Sequence, residues 1–357
     1  MFYKRLLAIG ICVSCIVVLT GLMGCTVTAS TGAVTTPTIT EIWGPGPDSW
    51  GFQPVFYDIA AGSDGNLWFT ESNLNEILKI SPKTGNINTY QVPTAGADPK
   101  AITAGPDGNI WFTEIDANNI GKISPKTGVI TEYTDSTISN MATGRDSPDN
   151  ITAGSDGYLW FTGGDRDIVG KVSSRTNLFT EYNVANTNAG FGGIIAGPDG
   201  NIWFTEGVTG KIVKLSPKTG SLTEYALPAA NAVPSGIATG PDGNIWFTEI
   251  DGNNIGKISP KTGKITEYAI PTVGSFPQDI TAGPDGNLWF TEFGGKKLGK
   301  ISPRTGAITE YNIPSADAAP FAITAGADGN LWFTEVGYSV GKISPKTGII
   351  TEYRVTN

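Results

Sequence analysis

The nine-residue phrase PDGNIWFTE is spelled three times in this chain, at Pro106–Glu114, Pro198–Glu206 and Pro241–Glu249. Looser copies raise the number to seven, each with its tryptophan in the same place: Trp68, Trp111, Trp160, Trp203, Trp246, Trp289 and Trp332. Successive tryptophans stand 43 residues apart, except for 49 between Trp111 and Trp160. A period in the forties, with a turn and a tryptophan in every unit, marks a propeller or a similar array. Such units cannot bury both faces alone, so each must cover the next.

One unit reads as four short strands. In the unit that starts at Ala101, AITAG is a strand of small residues. PDGN is a turn: Pro presets φ, Asp bonds its own backbone and Gly accepts positive φ. IWFT is β-branched and aromatic without polar alternation, as suits a strand covered on both faces. NIGKIS is the third strand, SPKTG the second turn and VITEY the fourth strand. Helical periodicity is absent from the repeats. The expectation is an all-β chain: a seven-bladed β-propeller of four-stranded antiparallel blades, about 43 residues each, over residues 38–357. An open β-solenoid is the alternative, but it needs shorter, more uniform rungs. An eighth copy of the fourth strand, TITEI at Thr38–Ile42, precedes the first unit and competes with ITEY at Ile350–Tyr353 for the edge of the last blade.

The N-terminus reads as a targeting segment. Lys4 and Arg5 precede an apolar run from Leu6 to Leu22, and LMGC follows at Leu22–Cys25. This resembles a lipobox, which makes residues 1–24 a lipoprotein-type signal peptide, Cys25 the lipidated residue and residues 25–37 a flexible tether. An uncleaved signal anchor is the other reading, since 17 apolar residues nearly span a bilayer. Both put the propeller outside the cytoplasmic membrane, as an anchored protein of the cell envelope. Cys12 and Cys15 lie inside the apolar run, so their spacing is neither a redox nor a zinc motif, and no disulfide is expected. The formal net charge is −9, against the basic stripe of a nucleic-acid reader, and that class is excluded.

If the first strand of each unit descends from a top face, the PDGN and SPKTG turns fall at the bottom. The bottom then carries Lys83, Lys126, Lys218, Lys261, Arg304 and Lys346 beside the turn aspartates. Six glutamates end the second strands at the top: Glu71, Glu114, Glu206, Glu249, Glu292 and Glu335, with Gly163 in the third unit. Their recurrence favours an architectural role. Their alternative role is a cation site, for which Glu335 and Glu292 are the candidate ligands of Mg²⁺ or Ca²⁺.

The seven-fold phrase ITAGPDGNIWFTE…NNIGKISPKTG.ITEY resembles streptogramin B lyase (virginiamycin B lyase) and its propeller relatives over about Thr38–Tyr353. The resemblance implies a lyase that linearises a cyclic depsipeptide by eliminating across its ester with a divalent metal. It also implies a histidine base in a PHGI motif, a second histidine in PHAI one blade earlier, and metal-linked glutamates. Here the first motif reads Pro320-Phe321-Ala322-Ile323 and the second Pro277-Gln278-Asp279-Ile280. The glutamate before the first motif is Ala319; the one ending the last WFTE is Glu335, which matches. The chain has no histidine at all. His is the side chain suited to proton abstraction near neutral pH. The corresponding positions of other units hold Tyr57, Lys100, Asp149, Gly192 and Ser235, of which Tyr57, Lys100 or Asp149 could act as a base only with a strongly moved pKa.

Departures from the repeat point to a site. Four connections between blades match the 12 residues from Tyr90 to Ile102, but Tyr133 to Ile151 takes 18 and Ile42 to Ile59 takes 17. The latter carries Trp43, Trp50, Phe52, Phe56 and Tyr57; the former carries Met141, Arg145 and Asp149. They flank the second blade, whose own pre-strand residue is Lys100. Trp43, Trp50, Phe52, Phe56, Tyr57, Lys100, Arg145 and Asp149 are therefore the candidate contacts of a small molecule, peptide or glycan on the top face. The reading is a monomeric, lipid-anchored, non-catalytic binding propeller. The alternative is a divalent-metal lyase or lactonase-like hydrolase with a non-histidine base.

Overall fold

The computed structural model describes residues 39–43, 55–134, 147–164, 168–184, 189–229, 231–337 and 339–356. Seven sheets follow one another, each built on four antiparallel strands taken in chain order. The innermost strands are Phe56–Ala61, Pro99–Ala104, Pro148–Ala153, Phe191–Ala196, Pro234–Thr239, Pro277–Ala282 and Pro320–Ala325. Each touches the inner strand of the next blade, and the last touches the first. The ring is closed, as the repeat requires.

The core is divided among seven seams. Trp68 packs on Ile102, Ile110 and Phe112 of the next blade, and the same exchange recurs around the ring until Trp332 meets Phe56 and Phe69. All seven tryptophans are fully buried. A tyrosine of the fourth strand stacks on each at 5.2–5.7 Å, and a lysine of the third strand lies over each ring at 5.0–5.5 Å. Each indole Nε1 donates to the turn aspartate four residues earlier, at 2.9–3.2 Å. The WFT tryptophan is thus held on every side by residues of the repeat, which is why it never varies. Gly256, on the third strand, shows how tight the fit is: a Cβ there would stand 2.0 Å from the Phe247 ring.

The threonine of WFTE clips blade to blade. Thr248 Oγ1 accepts the Gly236 N–H at 2.9 Å within its own blade and donates to the Gln278 carbonyl of the next at 2.9 Å. Thr113 and Thr291 make the same pair of bonds. The clip exists because every inner strand carries a β-bulge between its first and fourth residues. The second and third residues lose their ladder partners there, and the threonine supplies one.

The competition for the last edge has a simple outcome. Ile350–Thr356 takes the fourth position of the seventh blade, and Ile39–Trp43 adds outside it as a fifth strand, parallel, from Ile39 opposite Glu352 to Trp43 opposite Thr356. No strand is exchanged.

Candidate functional site

The bulges place one side chain from each blade around the mouth of the central channel. In ring order the second residues are Tyr57, Lys100, Asp149, Gly192, Ser235, Gln278 and Phe321. No residue type repeats. With the third residues they line a cavity of about 260 Å³. The Lys100 ammonium is paired with the Asp149 carboxylate across the seam, both about a fifth exposed. Across the seventh seam Tyr57 meets Phe321 edge to face at 5.8 Å. Opposite the aromatic pair, and next to Asp149 in the ring, Gly192 and Gly193 present no side chain to the channel.

Two carboxyl groups lie one position deeper. Asp58 accepts the N–H of Ile59 at 2.8 Å and that of Ile102, in the next blade, at 2.8 Å. Asp279 does the same with Ile280 and Ile323 at 2.8 Å. Burial raises the Asp58 carboxyl to about 6, against the lowering effect of its two backbone bonds. Burial, and then the charge of Asp58, raises Asp279 to about 7. Both are partly accessible, and both line the channel. Sequence reasoning passed over them. The signal was present: the third position holds Ala101, Asn150, Gly193, Gly236 and Ala322 elsewhere, so two acids break a column of small or neutral residues.

Tyr57, Lys100 and Asp149 are thus brought together at one mouth. Phe56 is not at the face: it is wholly buried in the seventh seam, edge-on to Phe69 at 5.2 Å. It takes the first inner-strand position, which Pro99, Pro148, Pro234, Pro277 and Pro320 fill elsewhere and which is buried in each. The Trp43 backbone ends the fifth strand. Trp50, Phe52, Met141, Arg145, Cys25, the signal segment and the tether lie outside the described residues.

A rim residue was also missed. Phe276, just before the sixth inner strand, is 45% exposed and has a left-handed φ of 46°. That conformation is costly for a bulky side chain. Val273 beside it is 93% exposed.

The strand-end glutamates lie elsewhere. None of the six lines the channel cavity, and all are at most 3% exposed. Glu71 accepts the N–H of Val55 at 2.9 Å and of Asn73 at 3.2 Å, and that of Leu74, which pins the end of the long N-terminal connection. Glu114 accepts from Asn119 Nδ2 at 3.1 Å, and Glu249 from Asn254 Nδ2 at 3.1 Å. Burial raises Glu71 and Glu249 to about 7. Glu114 rises to about 8 through burial, with neighbouring Glu132 adding to it. Glu292 also rises to about 8, through burial and then the charge of Glu310, whose own carboxyl is held low by Thr272 and Lys297 in spite of burial. Protonated, a glutamate of such a pair can share its proton with the other.

A divalent ion needs several oxygen ligands in reach of water. Of the two carboxylates that the resemblance links to metal, one position holds Ala319 and the other, Glu335, is 3% exposed. Phe321 contributes no donor. Among the described residues no three acidic, histidine or cysteine side chains gather as a metal site. The residues present do not fit the ion the resemblance implies.

Fold and mouth together define a seven-bladed propeller with an asymmetric ligand-sized cavity at one end of its channel. The model of the virginiamycin B lyase family matches residues 49–144 and 134–357, and the chain belongs to that family. Solved structures agree. A streptogramin B lyase is 38% identical, covering 81% of this chain and 93% of that one, with a TM-score of 0.74. A virginiamycin B lyase from Staphylococcus aureus is 36% identical over 81% and 94%, again at 0.74. A catalytically inactive histidine-to-alanine variant of the Staphylococcus aureus enzyme, with quinupristin, is 35% identical over 82% and 95%, also at 0.74. No curated protein matches the chain.

Proposed function

We propose that this propeller is an exported, lipid-anchored binding protein that takes a small peptide-like or cyclic ligand at its channel mouth and does not perform the elimination of its lyase relatives. One observation carries the reading. Where the resemblance places the two histidines, this chain has Phe321, packed on Tyr57, and Gln278. In the relative, exchange of a single histidine for alanine accompanies loss of catalysis; here the whole chain lacks the residue. What remains is a recognition surface: an aromatic pair for a flat or apolar group, the Lys100–Asp149 pair and Gln278 for amides, and a glycine wall that leaves room. Cys25 and the tether hold it at the membrane.

A second reading is favoured by Asp58 and Asp279. Their carboxyls, at about 6 and 7, sit in the basicity range of a general base at neutral pH and face the channel. That reading is a lyase or hydrolase with a carboxylate base.

Quinupristin separates the two. Calorimetry measures binding, and chromatography with mass spectrometry follows the ligand, with and without Mg²⁺. Binding without conversion is the expected result. A linear product of unchanged mass would restore the lyase, since elimination adds no atoms; a product heavier by one water would show a hydrolase. Loss of that turnover in Asp279→Asn would assign the base.

A further inference from the structure

The two ends of the ring differ in charge, and the difference has a direction. At the bottom each blade carries one carboxylate and at least two cations, with Lys264 a third in the fifth blade. The carboxylate is the first-turn aspartate, whose oxygens bond the Trp Nε1 and, in most blades, the side chain of the turn asparagine, as Asp242 does with Trp246 and Asn244. The first cation is the lysine lying over the tryptophan. The second is exposed in every blade, on the turn between the third and fourth strands, from Lys83 in the first to Lys346 in the last. These seven form a rim at the outer radius. None makes an ion pair with a described residue. The position keeps its charge while its surroundings change: SPKTG becomes SSRTN in the third blade and SPRTG in the sixth, and Arg175 and Arg304 stand in for lysine. A net charge of −9 makes this rim an exception to the rest of the molecule.

The chain itself leads to the same end. The last strand, Ile350–Thr356, rises from the bottom turn at Ser344–Gly348, and Ile39–Trp43 runs parallel to it. Ile39, the first residue of that strand, therefore stands at the bottom end of the outer edge of the seventh blade. Thr38 is 13 residues from Cys25, a reach of at most about 45 Å.

We propose that the bottom rim is a docking face for anionic lipid headgroups, which seats the propeller on the membrane with its channel mouth turned away. Multiple Lys and Arg side chains at a surface are attracted to acidic lipids within a Debye length, and a short tether keeps them within that distance. The inference takes from the proposed function only that a membrane lies at the N-terminus; ligand binding plays no part in it.

The test uses the full chain in vesicles of phosphatidylcholine, with or without phosphatidylglycerol. Lysine acetylation, read by mass spectrometry, maps the covered face. On anionic vesicles Lys83, Lys126, Lys218, Lys261 and Lys346 should be modified several-fold more slowly than in detergent, while exposed Lys296 at the top is unchanged. The triple variant Lys218→Glu, Lys261→Glu, Lys346→Glu should lose that protection. Protection of Lys296 instead, or equal rates at both ends, overturns the proposal. Full chain carrying Cys25→Ser separates the face from the anchor. If it still sediments with anionic vesicles at low salt, and the triple exchange lowers that binding about tenfold or more, the face stands even if lipidation fails. If this form binds a soluble polyanion but not the vesicles, the lipid assignment is wrong.

Discussion

Along the seams the seven blades do one thing seven times; at the second position of the inner strand no residue type occurs twice. Both columns belong to the same repeat and lie 11 residues apart. The difference comes from constraint. Each seam tryptophan must fit a neighbour that is a copy of itself, bond an aspartate and carry a tyrosine and a lysine on its face. A change in any partner leaves a void or an unpaired polar group. The channel positions sit on a β-bulge, their backbone held by threonine clips, so no seam partner dictates the side chain, although at Gly192 a Cβ would stand 2.4 Å from Thr205 Oγ1. Symmetry therefore marks what holds the ring, and its loss marks what the ring presents.

The comparison breaks most visibly at a tryptophan. Trp246→Ala should cost about 3–5 kcal/mol in chemical denaturation, by loss of buried surface and creation of a cavity between two blades. Gln278→Ala, at the mouth, should leave the midpoint unchanged. A seam loss below about 1 kcal/mol would mean the tryptophans do not hold the seams.

A proton-dependent version follows from the strand-end glutamates. Their folded pKa values lie above the unfolded value, so the native state binds more protons, and stability falls as pH rises from about 4.5 through about 8. Thermal melts should show a lower Tm at pH 9 than at pH 6. Glu114→Gln should recover roughly 2 kcal/mol at the alkaline end, because it removes a buried charge without removing the shape. A melting temperature that is flat across that window would show these carboxyls ionised without cost.

How much of this was legible? The fold was, down to the four strands and the seven blades, because the repeat restates its constraints in every unit. The site was legible only where it departed from the repeat. Tyr57, Lys100 and Asp149 were found through loop length and register, and they do converge. Phe56 looked like part of an aromatic platform but fills the buried position of a proline, which no count of aromatics reveals. Asp58 and Asp279 were hidden by being three-dimensional neighbours 221 residues apart. The glutamates resembled metal ligands in sequence; their burial depends on the neighbouring strand and loop, which spacing does not display.

The mouth itself gives the next effect. Tyr57→Ala and Phe321→Ala should each weaken quinupristin about tenfold, some 1.4 kcal/mol, with Tm unchanged. Unchanged affinity in both would move the ligand off the channel. Thr248→Val then tests the link between the two columns. Losing one clip should cost about 1 kcal/mol by denaturation, since the Gly236 N–H loses its acceptor and the Gln278 carbonyl its donor.

The smallest effect on stability, and the sharpest test of the difference between the columns, belongs to Phe276. It occupies the left-handed position just before an inner strand, at φ 46°, and Val233 does so at 49°. In the fourth blade the equivalent position is Gly190, at φ 61°, the residue such a backbone favours. Phenylalanine there carries strain of about 1–3 kcal/mol and keeps a ring 45% exposed at the rim, next to Gln278. Selection for stability alone would choose glycine. Phe276→Gly relieves the strain but returns entropy to the unfolded chain, so the net change should stay within about 1 kcal/mol and favour the fold. If the ring is kept to close over a ligand, the same exchange should weaken quinupristin severalfold. A variant that is more stable and binds as well as the parent would place Phe276 with the repeat's drift and not with the mouth.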